Sequence, residues 1–142
     1  QTDEAKDVSK ENTLSFSITA QNEVMLNDKP VAVEDIRRRI VDFVRMRGAQ
    51  HLILVDANPA SDYNTYFTLE NEIVAAYAEV RNAEAKRRYH RDYASCTDEQ
   101  RKKVRDIYPQ HLSETYNTAE VNNSTEDNKT SKAVDEKKGG AE

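Results

Sequence analysis

The spacing of apolar residues changes repeatedly along this chain, and that change points to a mixed α+β fold. Leu14, Phe16 and Ile18 alternate with Ser15, Ser17 and Thr19, the period-two signature of a strand with one buried face. A turn at Gln21-Asn22 follows, and Val24 and Leu26 alternate again, which predicts a second short strand and a hairpin. Asn27 to Pro30 reads as a turn cluster. From Val33 the period becomes helical, with Val33, Ile36, Ile40, Phe43 and Val44 on one face of a helix reaching Arg47. Glu34 and Asp35 open that helix and Arg45 and Arg47 close it, the order its dipole favours, and Gly48 stands where a C-terminal cap belongs. His51 to Ala57, HLILVDA, is a nearly unbroken apolar run, as a buried parallel strand shows. The expected sheet therefore has about three strands: Thr13 to Thr19, Glu23 to Asn27 and His51 to Ala57.

A long helix is predicted from Asp62 to Tyr93, after a loop over Asn58 to Asp62. At ~1.5 Å per residue it would overhang its own sheet. Tyr66, Leu69, Ile73, Ala76, Tyr77 and Val80 form one stripe suited to the sheet. Ala75, Ala78, Ala85, Tyr89 and Tyr93 form a second apolar face suited to another helix. Thr97 to Gln100 is a capping box that opens such a helix, Val104, Ile107 and Tyr108 give it a face, and Pro109 ends it. A helical hairpin bending at Ala94 to Cys96 is the expected result. The fold class is thus α+β, a small mixed sheet covered by helices.

The chain has 142 residues, a net charge of -5, and 37% apolar against 33% charged residues, enough for one small core and not two large ones. Residues 1–11 read as a disordered linker, 12–116 as the domain, and 117–142 as a disordered tail. No run of 18 apolar residues is present. One cysteine, Cys96, excludes a disulfide framework and a multi-cysteine zinc site. Gly48 is the single glycine in the first 138 positions, which excludes most phosphate-cradling loops. His51, His90 and His111 have no ligand spacing and no glycine-flanked serine beside them, so no metal, cofactor or nucleophilic catalysis is expected.

Two constellations were open to more than one reading. Asp56, Asn58, Ser61, Asp62 and Tyr63 gather at the C-terminal end of the last strand, where open α/β sheets bind ligands. Asp56 and Asp62 could form an acid pair acting on a glycan, but helix capping and turn formation by these residues is the stronger reading, with a partner-contact surface next. Arg81, Lys86 to Arg88, Arg91, Arg101 to Lys103 and Arg105 are interleaved with Tyr89 and Tyr93. Glu84, Asp92, Asp98, Glu99 and Asp106 are interspersed, so a solvated helical hairpin is favoured over nucleic-acid binding.

Three strands cannot close a barrel, so two edges are expected to stay open. An open edge can receive a strand from a second copy or from a partner. The backbone of Leu14 to Thr19 or of Glu23 to Asn27 would do that pairing, with Pro30 limiting it beyond the second strand.

The segment SFSITAQNEVMLNDKPVAVEDIRRRI, with Asn27, Asp28, Pro30 and Val31 at the end of its hairpin, and the segment LILVDANPASDY resemble the periplasmic domain of the ExbD/TolR family of biopolymer-transport proteins. Asp56 and Tyr63 stand at the family's strand-end aspartate and downstream tyrosine. The likeness runs from about Leu14 to Val80, and LENEIVAAYAEVRN and TDEQRKKVRDIYPQHLSE further resemble the variant found in Bacteroidetes-type bacteria. The resemblance implies a non-enzymatic subunit of a proton-motive-force-driven complex at the periplasmic face of the inner membrane. It implies a homodimer that binds a TonB-like energy transducer and reaches an ExbB-like channel through a transmembrane helix not in this sequence. Residues 1–11 would be the tether. The expected partner-contact residues are Leu14, Phe16, Ile18, Val24, Leu26, Asp56 and Tyr63. The alternative is a TolR-like anchor bound to peptidoglycan. The better-known branch follows its second helix with a glycine and another strand, whereas this chain lacks the glycine and is expected to stay helical through Tyr93. The family's proton-handling acidic residue lies in the transmembrane helix, so no proton chemistry is assigned to residues here.

Overall fold

β1 (Thr13–Ile18) occupies the first alternating stretch, and Leu14, Phe16 and Ile18 are buried while the residues between them are not. The structure is a computed structural model and describes residues 10–116. Residues 1–9 of the linker expected over 1–11, and the tail expected over 117–142, lie outside the described residues. Lys10 and Glu11, assigned to that linker, are helical.

β2 (Val24–Leu26) pairs antiparallel with β1, closing the expected hairpin with Ile18 opposite Val24 and Phe16 opposite Leu26. A further two-residue strand, β3 (Lys29–Pro30), pairs antiparallel with β2. The turn cluster is therefore itself a hairpin. Asn27 and Asp28 both have positive φ, 50° and 70°, as a two-residue hairpin loop requires. Helix α1 (Val33–Arg47) has the predicted limits, with its buried face on Ile36, Ile40, Val41 and Val44. Gly48 takes φ 60° at its end and donates its N–H to the Val44 carbonyl, a backbone conformation that glycine adopts without strain.

β4 (Leu52–Ala57) inserts beside β1 in parallel, with Leu14 opposite Ile53 and Phe16 opposite Val55. Helix α2 (Tyr63–Tyr89) buries the predicted stripe from Leu69 to Val80. It ends earlier than expected, at His90, which turns left-handed with φ 60°. The bend then runs through a short 3-10 turn at Tyr93–Ser95 into helix α3 (Asp98–Ile107), whose N-terminus carries the expected capping box of Thr97 and Gln100. Ala85 of α2, Cys96 and Val104 of α3 form a small second core, with Tyr89 and Tyr93 against it. Ala78, assigned to this helix-facing surface, is exposed instead.

A last strand, β5 (Leu112–Tyr116), pairs parallel with β4, with Ile53 opposite Leu112 and Val55 opposite Glu114. The sheet is thus five-stranded in the order β3-β2-β1-β4-β5, not three-stranded. The protein is α+β, with α1 and α2 packed on each other and the main core formed by residues of β1, β2, α1, β4 and α2. Among the described residues no helix is long and apolar enough to cross a membrane.

Candidate functional site

The sheet edges are where strand addition would occur, and the five-strand order decides which are accessible. β1 lies at the centre. Its ladder to β2 occupies one side and its ladder to β4 the other. The backbone of Leu14, Phe16 and Ile18 therefore has no free side for a visiting strand, which corrects the docking mode expected for Leu14 to Thr19. Their side chains are equally enclosed, at 5%, 1% and 2% exposure. They hold the core rather than contact a partner.

β2 is covered as well. Met25 and Leu26 face Pro30 and Lys29, and the Val31 N–H donates to the Val24 carbonyl at 3.0 Å. Val24 and Leu26 are buried side chains. The second expected docking edge, Glu23 to Asn27, is thus taken by the segment that follows it. What remain are the outer sides of β5 and of the two-residue β3, beyond which no strand lies among the described residues; β3 offers only Lys29 and Pro30, and Pro30 has no N–H to give, so β5 is the longer edge.

The loop after β4 folds as a set of caps and turns. Asn58 Oδ1 accepts from the Ala60 N–H at 2.8 Å, and the Ser61 hydroxyl donates to the Asn58 carbonyl at 2.7 Å. Asp62 caps α2 by accepting from the Thr65 amide and hydroxyl, both at 2.9 Å. Those bonds hold its carboxyl below the usual carboxylate range. The Asp62 amide donates to Asn22 Oδ1 at 2.7 Å, which ties this loop to the tip of the first hairpin. Asp62 is engaged as a cap, not poised as half of an acid pair. Asp56 is exposed between buried Val55 and Ala57, so alternation puts it on the sheet face away from the core. Tyr63 opens α2, is 55% exposed and lies against Tyr66 and Phe67. Asp56 and Tyr63 therefore serve separate surfaces.

Two polar clusters were not anticipated. At the start of β4, His51 is 1% exposed, and its ring touches the Gly48 carbonyl and the Tyr77 hydroxyl. Burial lowers the His51 pKa and raises that of Tyr77. His111, just before β5, stacks on His51 at 5.4 Å between ring centroids. Its Nδ1 donates to the His51 carbonyl at 3.2 Å. Beside it, Arg81 Nε donates to the Tyr108 carbonyl at 3.0 Å. Together these bonds set the entry of β5 against β4.

Further along β5, Glu114 meets Glu70 and Tyr66 of α2. Burial, then the hydrogen bond and charge of Glu114, push the Glu70 carboxyl up to about 9. Burial also raises the Tyr66 phenol.

Part of the positive charge of the helical hairpin is paired within it. Arg87 and Arg88 both reach Glu84, at 2.6 Å and 3.0 Å, Lys102 reaches Asp106, and Arg101 reaches Asp98. Among the described residues no group of three metal-ligating side chains gathers. No family model and no curated protein matches this chain.

Proposed function

We propose that this chain is the non-enzymatic periplasmic domain of an ExbD-like subunit of a proton-motive-force-driven complex. In this reading it dimerises, binds a TonB-like transducer, and meets an ExbB-like channel through a membrane segment outside this sequence. The observation that carries the proposal is β5. The better-known branch of the family places a strand after its second helix, and that strand had been the main structural departure. Here the helical hairpin is followed by Leu112–Tyr116, laid parallel on β4. The elements then run hairpin, helix, strand, long helix, short helix, strand, an order that supports this reading. The last strand also supplies an edge at which an extended segment or a second copy can pair.

The peptidoglycan-anchor alternative draws less support. It would use Arg87, Arg88 and Arg91 of the helical hairpin or the Asp56 to Tyr63 loop; Glu84 already engages Arg87 and Arg88, and Asp62 is engaged as a helix cap.

Affinity purification of the protein from its native membranes tests the proposal. An ExbB-like channel subunit is expected to co-purify. Recovery without any such subunit under mild detergent would contradict it.

A further inference from the structure

Alternation along β5 puts every second residue beneath α2. Leu112 holds one such position and packs against the main core. Glu114 holds the next, opposite Val55, which is 2% exposed. A carboxyl thus stands where the pattern calls for an apolar side chain. The helix above presents another, Glu70, with Tyr66 one turn earlier on the same face.

Glu70 Oε1 is buried and has no hydrogen-bond partner among the described residues. Among the described residues no ion pair reaches Glu70 or Glu114. The charged groups of the neighbouring elements are committed elsewhere. Arg37 of α1 pairs with Glu72 at 2.9 Å, and Asp56 of β4 lies on the opposite face of the sheet. Among the described residues Glu70 thus faces Glu114 and Tyr66. Glu70 is half-buried and Glu114 exposed, and a half-buried carboxyl set against a second carboxyl, with no cation paired to it among the described residues, keeps its proton to a higher pH than usual. It donates that proton to the other in a short charge-assisted bond.

We propose that β5 is a strap whose clasp is one proton shared between Glu70 and Glu114, and that losing this proton frees β5 from β4. Opening breaks one O–H bond, passes the proton to solvent, and takes the pair from one negative charge to two. No electrons are transferred. Repulsion then acts on an edge strand, the kind of element that detaches with the least loss of core. The edge uncovered is the backbone of Leu52–Ala57, which β5 otherwise occupies. The clasp requires no partner and stands independently of the transducer reading.

Nuclear magnetic resonance of the 142-residue chain tests this directly. Carboxyl resonances would report the protonation of Glu70, and cross-strand contacts would report β4–β5 and β1–β4 pairing from pH 6 to pH 10. Glu70 is expected to hold its proton through pH 7. The β4–β5 contacts are expected to vanish above about pH 9 while the β1–β4 contacts persist. Glu70→Gln and Glu114→Gln are each expected to keep β5 paired at pH 10. A Glu70 already ionised at pH 6 overturns the proposal, and that reading needs no variant to fold. So does persistence of the β4–β5 contacts in the parent at pH 10, loss of both strand pairs together, or identical loss in parent and variants.

Discussion

His51 Nε2 lies 2.5 Å from the Tyr77 hydroxyl, and His51 Nδ1 lies 2.6 Å from the Gly48 carbonyl. A carbonyl only accepts, so Nδ1 carries the proton and donates it, and the neutral ring accepts at Nε2 from the Tyr77 O–H. One buried imidazole thereby joins the end of α1, the start of β4 and the middle of α2. Of these, β4 is the strand on which β5 is laid.

Tyr77→Phe removes the hydroxyl and leaves Nε2 buried without its donor. A stability loss of about 1–3 kcal/mol is expected in urea denaturation. A change within error would mean that the ring is satisfied some other way.

The same ring makes stability depend on pH. Burial lowers the His51 pKa from its usual 6.5, against the smaller opposing effect of the Gly48 carbonyl. The unfolded chain therefore takes up the proton first as pH falls. The stabilisation is fully present above 6.5 and is lost as pH falls below it towards the lower folded value. Denaturation midpoints are expected to drop between pH 7 and pH 5, with a shallower slope in His51→Gln. Equal slopes would contradict the assignment.

Glu84 gathers two arginines of its own helix near the end of α2. Its carboxylate receives Arg87 at 2.6 Å and Arg88 at 3.0 Å, and the Arg87 hydrogen bond is the main reason its pKa is lowered. Glu84→Gln is expected to destabilise by about 1 kcal/mol, a modest figure because solvent screens the exposed Arg87. The contribution is present above the usual carboxylate pKa and is lost as pH falls through the folded one. Thermal melts of parent and variant should therefore converge under acid. A constant gap down to the acid limit would show that the loss is not electrostatic.

Elements with strong periodicity were readable from the residues alone. α1 was legible residue for residue because its apolar spacing, terminal charges and Gly48 agree. β5 was hidden because Glu114 occupies a core-facing position and breaks the apolar alternation that marks a strand. Its remaining signals, β-forming Thr115 and Tyr116 after Pro109, are weak by themselves. β3 escaped because it has two residues and one is proline. The positive-φ pair Asn27-Asp28 was the clue that the turn continued into a hairpin. The β2 docking edge was misplaced because β3 was missed, whereas the β1 edge was misplaced because β4 inserts beside β1, an order that no local pattern encodes. The His51–Tyr77 bond joins residues 26 apart, and no local pattern encodes it.

In the proposed reading the domain binds a TonB-like transducer through the free side of β5. Titrating the isotope-labelled chain with the periplasmic segment of a TonB-like protein from the same organism measures this most directly. Saturable amide shifts centred on Leu112–Tyr116 are predicted, with β1 amides unmoved. Shifts centred on β1, or no shifts at millimolar peptide, would contradict the account.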